Sequence, residues 1–269
     1  MPAGLARAAA RTLDAVVAIV IAPECAACGL PLEAPTGGPV CPSCWSSVRR
    51  FTPPFCPSCG DPVAAEAHEP ADSGCPDLPV RPCPFCRRSP RLVVSARAAG
   101  PYEGRLRDII HAFKYDRRRT LARPLSALMR AAGRDVLAGA DLAVPVPLHW
   151  RRRHERGFNQ AALLAAGLGL PACEALRRSR RTRPQAGLHS GARRVNVGGA
   201  FSLAWTYRRA WPRLPARVAP RRLGGLTVVL VDDVSTTGAT LEACAAVLLA
   251  AGVREVRALT AARVAARPH

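Results

Sequence analysis

The stretch that decides the fold is Leu226-Thr-Val-Val-Leu-Val-Asp-Asp-Val-Ser-Thr-Thr-Gly-Ala-Thr240. It opens with an unbroken apolar run, the pattern of a strand covered on both faces. Two adjacent carboxylates follow, Asp232 and Asp233, and then a run of hydroxyls and Gly238. Beyond Thr240, the apolar residues Leu241, Cys244, Ala245 and Leu248 recur at i, i+3, i+4 and i+7. That spacing predicts a helix, ending before Gly252. Another strand is expected over 255–260. Strand, small-residue loop, helix and strand make a βαβ unit, which places the loop at the carboxyl edge of a parallel sheet.

At such an edge, N–H groups of the helix start can cradle a phosphate, and the helix dipole favours it. The hydroxyls of Ser235, Thr236, Thr237 and Thr240 can add hydrogen bonds. Two carboxylates beside a phosphate nest would repel phosphate alone. They suit a ligand that also presents sugar hydroxyls, with Mg²⁺ offsetting the remaining charge. Those needs match 5-phosphoribosyl 1-diphosphate. The stretch is not a Walker A loop, because no Gly-Lys-Ser/Thr is present. Read alone, Asp-Asp followed by threonines would be a helix cap and a turn.

Working outward, the charge is uneven. The 269 residues hold 39 Lys+Arg against 19 Asp+Glu, a net +20. Residues 1–90 carry 7 basic and 8 acidic side chains; residues 91–269 carry 32 and 11. The cysteines split the other way: nine of the 11 lie in 25–86, and only Cys173 and Cys244 lie beyond. Opposite charge and cysteine content predict two domains, 1–90 and 91–269. The single Lys, Lys114, stands out among arginines, as a compact ammonium or as a solvated helix end.

The cysteines come as Cys25/Cys28, Cys41/Cys44, Cys56/Cys59 and Cys83/Cys86, four Cys-x-x-Cys pairs in order. Each such turn presents two thiolates, and two turns close a tetrahedral S₄ site. Eight ligands suffice for two zinc ions. Sequential pairing is the simplest, with Cys25, Cys28, Cys41 and Cys44 on one ion and Cys56, Cys59, Cys83 and Cys86 on the other. Redox disulfides are the main rival; an iron–sulfur cluster lacks its usual spacing. Saturated S₄ sites leave no open position, so the expected role is structural. Cys75 and His68, in the Pro/Asp/Glu-rich stretch 61–82, read as loop residues.

The longest apolar run, Ala15–Ala22, is too short to span a membrane, which needs about 20 residues. Arg7 and Arg11 precede it as in a signal peptide, but no cleavage site fits. Residues 5–21 are therefore expected to form an amphipathic helix docked on the body of a cytoplasmic protein, where paired cysteines bind metal more often than they form disulfides.

A second strand is expected at Leu142–Pro147, turning into a loop near 145–150 because its prolines cannot continue a central strand. Arg151-Arg-Arg-His-Glu-Arg-Gly-Phe-Asn-Gln160 follows, then an apolar helix to about Leu168. Arginines beside a sheet-edge loop suit a pyrophosphate or another polyanion. Residues 177–197 form a long polar segment with little periodicity, and 204–222 are rich in Arg, Pro and Trp.

VVLVDDVSTTGAT (228–240) resembles the signature of type I phosphoribosyltransferases. By that resemblance Asp232 and Asp233, the candidate catalytic pair, hold the ribose 2′ and 3′ hydroxyls. Ser235, Thr236, Thr237, Gly238, Ala239 and Thr240 bind the 5′-phosphate. The Cys-x-x-Cys array, IIHAFKYDRRRTLARPL (109–125), VPVPLHWRRRHERGFNQ (144–160), TRPQAGL (182–188) and RRVNVGGAF (193–201) extend the likeness. Together they resemble the ComF/GntX family, competence-associated proteins that join a double zinc ribbon to a phosphoribosyltransferase-like domain.

That resemblance implies an α/β fold, a parallel-sheet type I phosphoribosyltransferase-like domain preceded by a small Cys-rich double zinc ribbon. It implies that Pro145–His149 meet the pyrophosphate and that Arg156, Gly157, Asn159 and Gln160 stand at the mouth of that site. It implies that 178–196 hold the place of the loop that closes over substrate, with Gln185, Arg193 and Asn196 matching. Two departures are Ala192, where an acidic residue is common, and a longer 204–220.

Three functions fit. One is an enzyme that transfers the phosphoribosyl group from the Mg²⁺-bound diphosphate; no element specifying an acceptor base is legible. Another is a factor that handles single-stranded DNA during uptake and transformation, with competence proteins as partners. For that reading the arginine runs supply phosphate contacts, and Trp205, Tyr207 and Trp211 the few stacking surfaces. The third is an interaction protein with a vestigial ligand site.

Overall fold

The computed structural model describes residues 12–17, 19, 21–63, 81–89, 91–116, 118–178, 199–207 and 223–264. Four parallel strands form the central sheet: β1 (Ser95–Ala98), β2 (Leu142–Pro145), β5 (Thr227–Ser235) and β6 (Glu255–Arg263), in the order β1-β6-β5-β2. Two shorter strands, β3 (Leu176–Arg178) and β4 (Phe201–Leu203), pair antiparallel beside it.

The apolar run at 226–231 becomes the middle of the sheet because both its faces are covered. Val229 and Val231 pack on one side with α1 (Gly104–Tyr115), α2 (Ala122–Ala132) and α4 (Gln160–Ala166). Val228 and Leu230 pack on the other with α5 (Ala239–Ala250), whose buried stripe is Leu241, Cys244, Ala245 and Leu248. All four strand residues are fully buried, so alternate residues of one strand anchor two layers of helix.

β5 runs further than the apolar pattern suggests. Pairing with β6 continues through Asp232↔Thr260 to Ser235↔Arg263, so the acidic pair lies inside the strand and not beyond it. The segment 150–160 also differs. It opens as α3 (Trp150–Arg156), stops at Gly157 (φ 75°), and restarts as α4 with Asn159 as its N-cap. Gly157 supplies the left-handed residue that this break requires.

The cysteine-rich part leans on the sheet. Cys25, Leu32, Val40, Cys44 and Val48 join the same buried cluster as Leu106, Ile109 and Phe113 of α1. Near the N-terminus, Asp14 accepts hydrogen bonds from the Thr36 backbone N–H (2.8 Å) and hydroxyl (2.7 Å). The apolar residues around it do not dock as expected: Leu13, Val16, Ile19 and Ile21 are each more than half exposed. Among the described residues no helix is long and apolar enough to cross a membrane.

Candidate functional site

The carboxyl end of β5 and the start of α5 enclose one small hollow. Asp232, Val234, Ser235, Thr236, Gly238, Ala239, Thr240 and Leu241 line it. Gly238 caps α5 with φ 78°, a conformation that costs glycine little, at a helix start whose first backbone N–H groups have no partner within the helix. The Thr237 hydroxyl accepts from the Ala239 N–H at 3.4 Å. Ser235 Oγ is buried with no hydrogen-bond partner among the described residues. A donor left idle beside a cradle of backbone N–H groups fits a phosphate ester.

The acidic pair is electrostatically tense. The Asp233 N–H donates to Asp232 Oδ1 at 2.8 Å. Burial, and then the charge of Asp233, push the Asp232 carboxyl up to about 7. Lys114, near the end of α1, places Nζ 2.8 Å from Asp233 Oδ1, with side chains only 13% and 11% exposed. Burial alone would lower the Lys114 pKa; Asp233 more than reverses that and holds it above the ordinary value. Two carboxylates sharing one buried cation leave room for further positive charge, which fits a divalent ion carried in with a ligand.

The RGFNQ residues reach this site through α1. Arg156 donates to Gln160 Oε1 (3.2 Å) and to the Tyr115 hydroxyl (3.3 Å), one residue after Lys114, and stacks on the Tyr115 ring at 4.9 Å. Gln160 is 1% exposed, and its Nε2 has no partner among the described residues. Asn159 is committed to the backbone: Nδ2 donates to the Val146 carbonyl (3.3 Å), and Oδ1 accepts from the Ala161 N–H (3.2 Å). Gln185, Arg193 and Asn196 lie outside the described residues, as do Cys75, His68 and most of 204–220.

Two cationic neighbours had no distinguishing signal in a chain so rich in arginine. Arg178, at the end of β3, lies over the Phe201 ring (5.3 Å); burial, then Arg152, lower its pKa, while Asp232 attracts it. Arg91 pairs with Glu242 of α5 at 3.6 Å. Lys114 did carry a signal, as the single lysine.

The eight cysteines gather as two sets of four, Cys25/Cys28/Cys41/Cys44 and Cys56/Cys59/Cys83/Cys86, with the sulfurs of each set within 4.8 Å of one another. Sγ atoms of Cys28 and Cys41 are 3.9 Å apart, and those of Cys59 and Cys83 are 3.7 Å apart. Tetrahedral zinc with bonds of about 2.3 Å puts its sulfurs about 3.8 Å apart, well beyond a disulfide at about 2.05 Å. Backbone N–H groups of Cys41 and Cys83 donate to Cys25 and Cys56 Sγ, each at 3.3 Å. Against the upward push of burial, such donors hold Cys25 at about 6 and Cys56 at about 7, while burial pushes Cys44 and Cys59 up. Four thiolates this close ionise together only around a cation, and the donor set suits zinc.

Comparison with known proteins agrees with both halves. Residues 16–78 match the double zinc ribbon domain, and 155–269 match the phosphoribosyl transferase domain. The chain is 34% identical over 248 residues to the DNA utilization protein YhgH of Escherichia coli K12, covering 87% of this chain and 93% of that one. It is 29% identical to Competence protein F of Haemophilus influenzae (83% and 90% covered). It is 27% identical to Competence protein ComFC of Bacillus subtilis (79% of each). With paired cysteine clusters, a parallel sheet and this likeness along most of its length, the chain belongs to the ComF/GntX family, in which a double zinc ribbon is joined to a phosphoribosyltransferase domain.

Proposed function

We propose that the chain binds Mg²⁺–5-phosphoribosyl 1-diphosphate at the β5–α5 junction. The observation that carries this reading is one hollow lined by Asp232 together with Ser235, Thr236, Gly238, Ala239 and Thr240. The α5 N-terminus and the Ser235, Thr236, Thr237 and Thr240 hydroxyls hold the 5′-phosphate. Asp232 and Asp233 accept from the ribose hydroxyls, and Lys114, 2.8 Å from Asp233 Oδ1, orients that carboxylate. Mg²⁺ supplies charge neutralisation at the pyrophosphate; Arg156 and Gln160, with Gln185 and Arg193, provide its protein contacts. In the enzymatic form of this reading these residues position the diphosphate, exclude water and stabilise charge while an acceptor takes the phosphoribosyl group.

Thermal stabilisation by 5-phosphoribosyl 1-diphosphate with Mg²⁺ is the test. A rise in Tm that is lost in Asp232→Asn/Asp233→Asn supports the reading. No rise in the wild type at millimolar ligand overturns it.

A DNA-handling role has its own support. Trp150 and Trp205 are 64% and 71% exposed, and the Arg151 guanidinium lies 5.2 Å over the Trp150 ring. Exposed aromatics interleaved with arginines suit single-stranded DNA, and relatives bear the names DNA utilization protein and Competence protein. Affinity for an oligonucleotide that falls steeply with salt supports this; a flat salt dependence removes it. Both roles suit a cytoplasmic protein with a metal-binding half through residue 90 and a ligand-binding half from residue 91.

A further inference from the structure

The second cysteine cluster sits against the phosphate loop. Cys59, Arg97, Ser235, Leu241 and Arg263 wall one cleft, so a metal knuckle and the end of β5 share a surface. Arg263, the last residue of β6, clamps the knuckle: its NH1 donates to the Cys59 carbonyl (3.2 Å), its NH2 donates to Asp61 Oδ2 (3.1 Å), and its Nε pairs with Asp61 Oδ1. Gly60 packs so close that a Cβ there would stand 2.2 Å from the Ala96 carbonyl oxygen.

Arg91 follows this cluster directly. Its guanidinium lies 5.3 Å over the ring of Phe85, inside the Cys83–Cys86 knuckle. Its NH1 is 3.0 Å from the point where a Cβ on Gly238 would stand, so it reaches the cap of α5 because that residue is glycine. Glu242, in the first turn of α5, brackets the segment: Oε2 accepts from the Leu92 N–H (2.8 Å), and Oε1 stands 3.6 Å from Arg91 NH1, too far for a hydrogen bond. The Arg91 side chain is nine-tenths buried, and its Nε has no hydrogen-bond partner among the described residues. The guanidinium already faces the charges of Cys86 and Glu242, and its Nε is unspent; brought to a helix N-terminus with that donor left over, it is arranged for an oxyanion.

We propose that Arg91 is a binding residue for the 5′-phosphate end of the ligand, and that the metal in the Cys56/Cys59/Cys83/Cys86 cluster positions it. This deepens the phosphoribosyl-diphosphate reading and rests on it. The metal ties Cys83 and Cys86 to Cys56 and Cys59, which fixes Phe85 and so the surface on which Arg91 lies. The second cluster is then part of the ligand site as well as a folding device. Linkage is reciprocal: what binds at Gly238 also tightens the metal.

Ribose 5-phosphate and inorganic pyrophosphate are titrated calorimetrically against the zinc-loaded full chain, its Arg91→Gln and Arg91→Lys variants, with 5-phosphoribosyl 1-diphosphate as a control. Arg91→Gln is expected to weaken ribose 5-phosphate at least tenfold, to leave pyrophosphate unchanged and to retain both zinc ions; Arg91→Lys recovers part of the loss. In a second measurement, ribose 5-phosphate slows release of one zinc to a chromogenic chelator several-fold in the wild type and not in Arg91→Gln. Equal ribose 5-phosphate affinity in wild type and Arg91→Gln, or a loss confined to pyrophosphate, overturns the assignment. So does zinc release that ligand leaves unchanged in a wild type that binds it. A wild type that fails to bind 5-phosphoribosyl 1-diphosphate brings down the underlying reading instead.

Discussion

Lys114 Nζ lies 2.8 Å from Asp233 Oδ1, joining the end of α1 to the end of β5 across 119 residues of chain. Both side chains are nearly buried, so neither tolerates loss of the other. Lys114→Met leaves Asp233 beside Asp232 without its cation and is expected to destabilise the ligand-free protein by about 3 kcal/mol. The double variant Lys114→Met/Asp233→Asn recovers part of that loss. Urea unfolding of the wild type, Lys114→Met, Asp233→Asn and the double variant measures the coupling.

Asp232 makes stability depend on pH in the opposite sense to an ordinary surface aspartate. Its folded pKa, about 7, lies above the unfolded value of about 3.9. Protonation therefore favours the fold; this contribution is complete below about pH 4 and is lost as pH rises through about 7. Asp232→Asn, neutral at every pH, is expected to have the higher Tm at pH 8, with the advantage shrinking as pH falls to 5. A Tm difference that does not change across that window contradicts this assignment.

The clamp between Asp61 and Arg263 is the polar hinge of the second cluster. Asp61→Ala strands a guanidinium that is 8% exposed and is expected to cost about 3 kcal/mol. Gly60→Ala adds a methyl at 2.2 Å from the Ala96 carbonyl oxygen, at φ 72°, and is expected to cost about 2 kcal/mol or more. Denaturant midpoints measure both. Replacing Gly29, which has φ 74° but open space around it, by alanine costs less than Gly60→Ala.

Zinc analysis of the purified chain is expected to find two ions. Cys44→Ser or Cys86→Ser removes one; Cys244→Ser, in the buried stripe of α5, removes none. A strong chelator lowers Tm, and acid pH speeds the loss because protons compete for thiolates. Chelation that removes both ions without shifting Tm contradicts a structural role.

Local patterns carried much of this into the sequence. The apolar run of β5, the stripe of α5 and the glycine between them are neighbours in the chain, and their periodicity shows directly which faces are buried. The same holds for each Cys-x-x-Cys turn. The apolar pattern stops at Val231, directly before the acidic pair and four residues short of the strand's end at Ser235, because carboxylates look like a loop until β6 is known to pair beside them. Asn159, grouped with Arg156 and Gln160 at the mouth of the site, is spent on capping α4, a role that its neighbour Gly157 hints at.

By itself the sequence determined the βαβ unit, the four Cys-x-x-Cys turns and the residue types gathered in the β5–α5 loop, because each depends on residues a few positions apart. The tertiary structure decided the rest. It chose which knuckles close together, set the order β1-β6-β5-β2, and selected Lys114, Arg178 and Arg91 from 39 basic residues as the ones beside the loop. Those choices depend on contacts between distant segments. They are made by burial and by paired charge, which no spacing along the chain records.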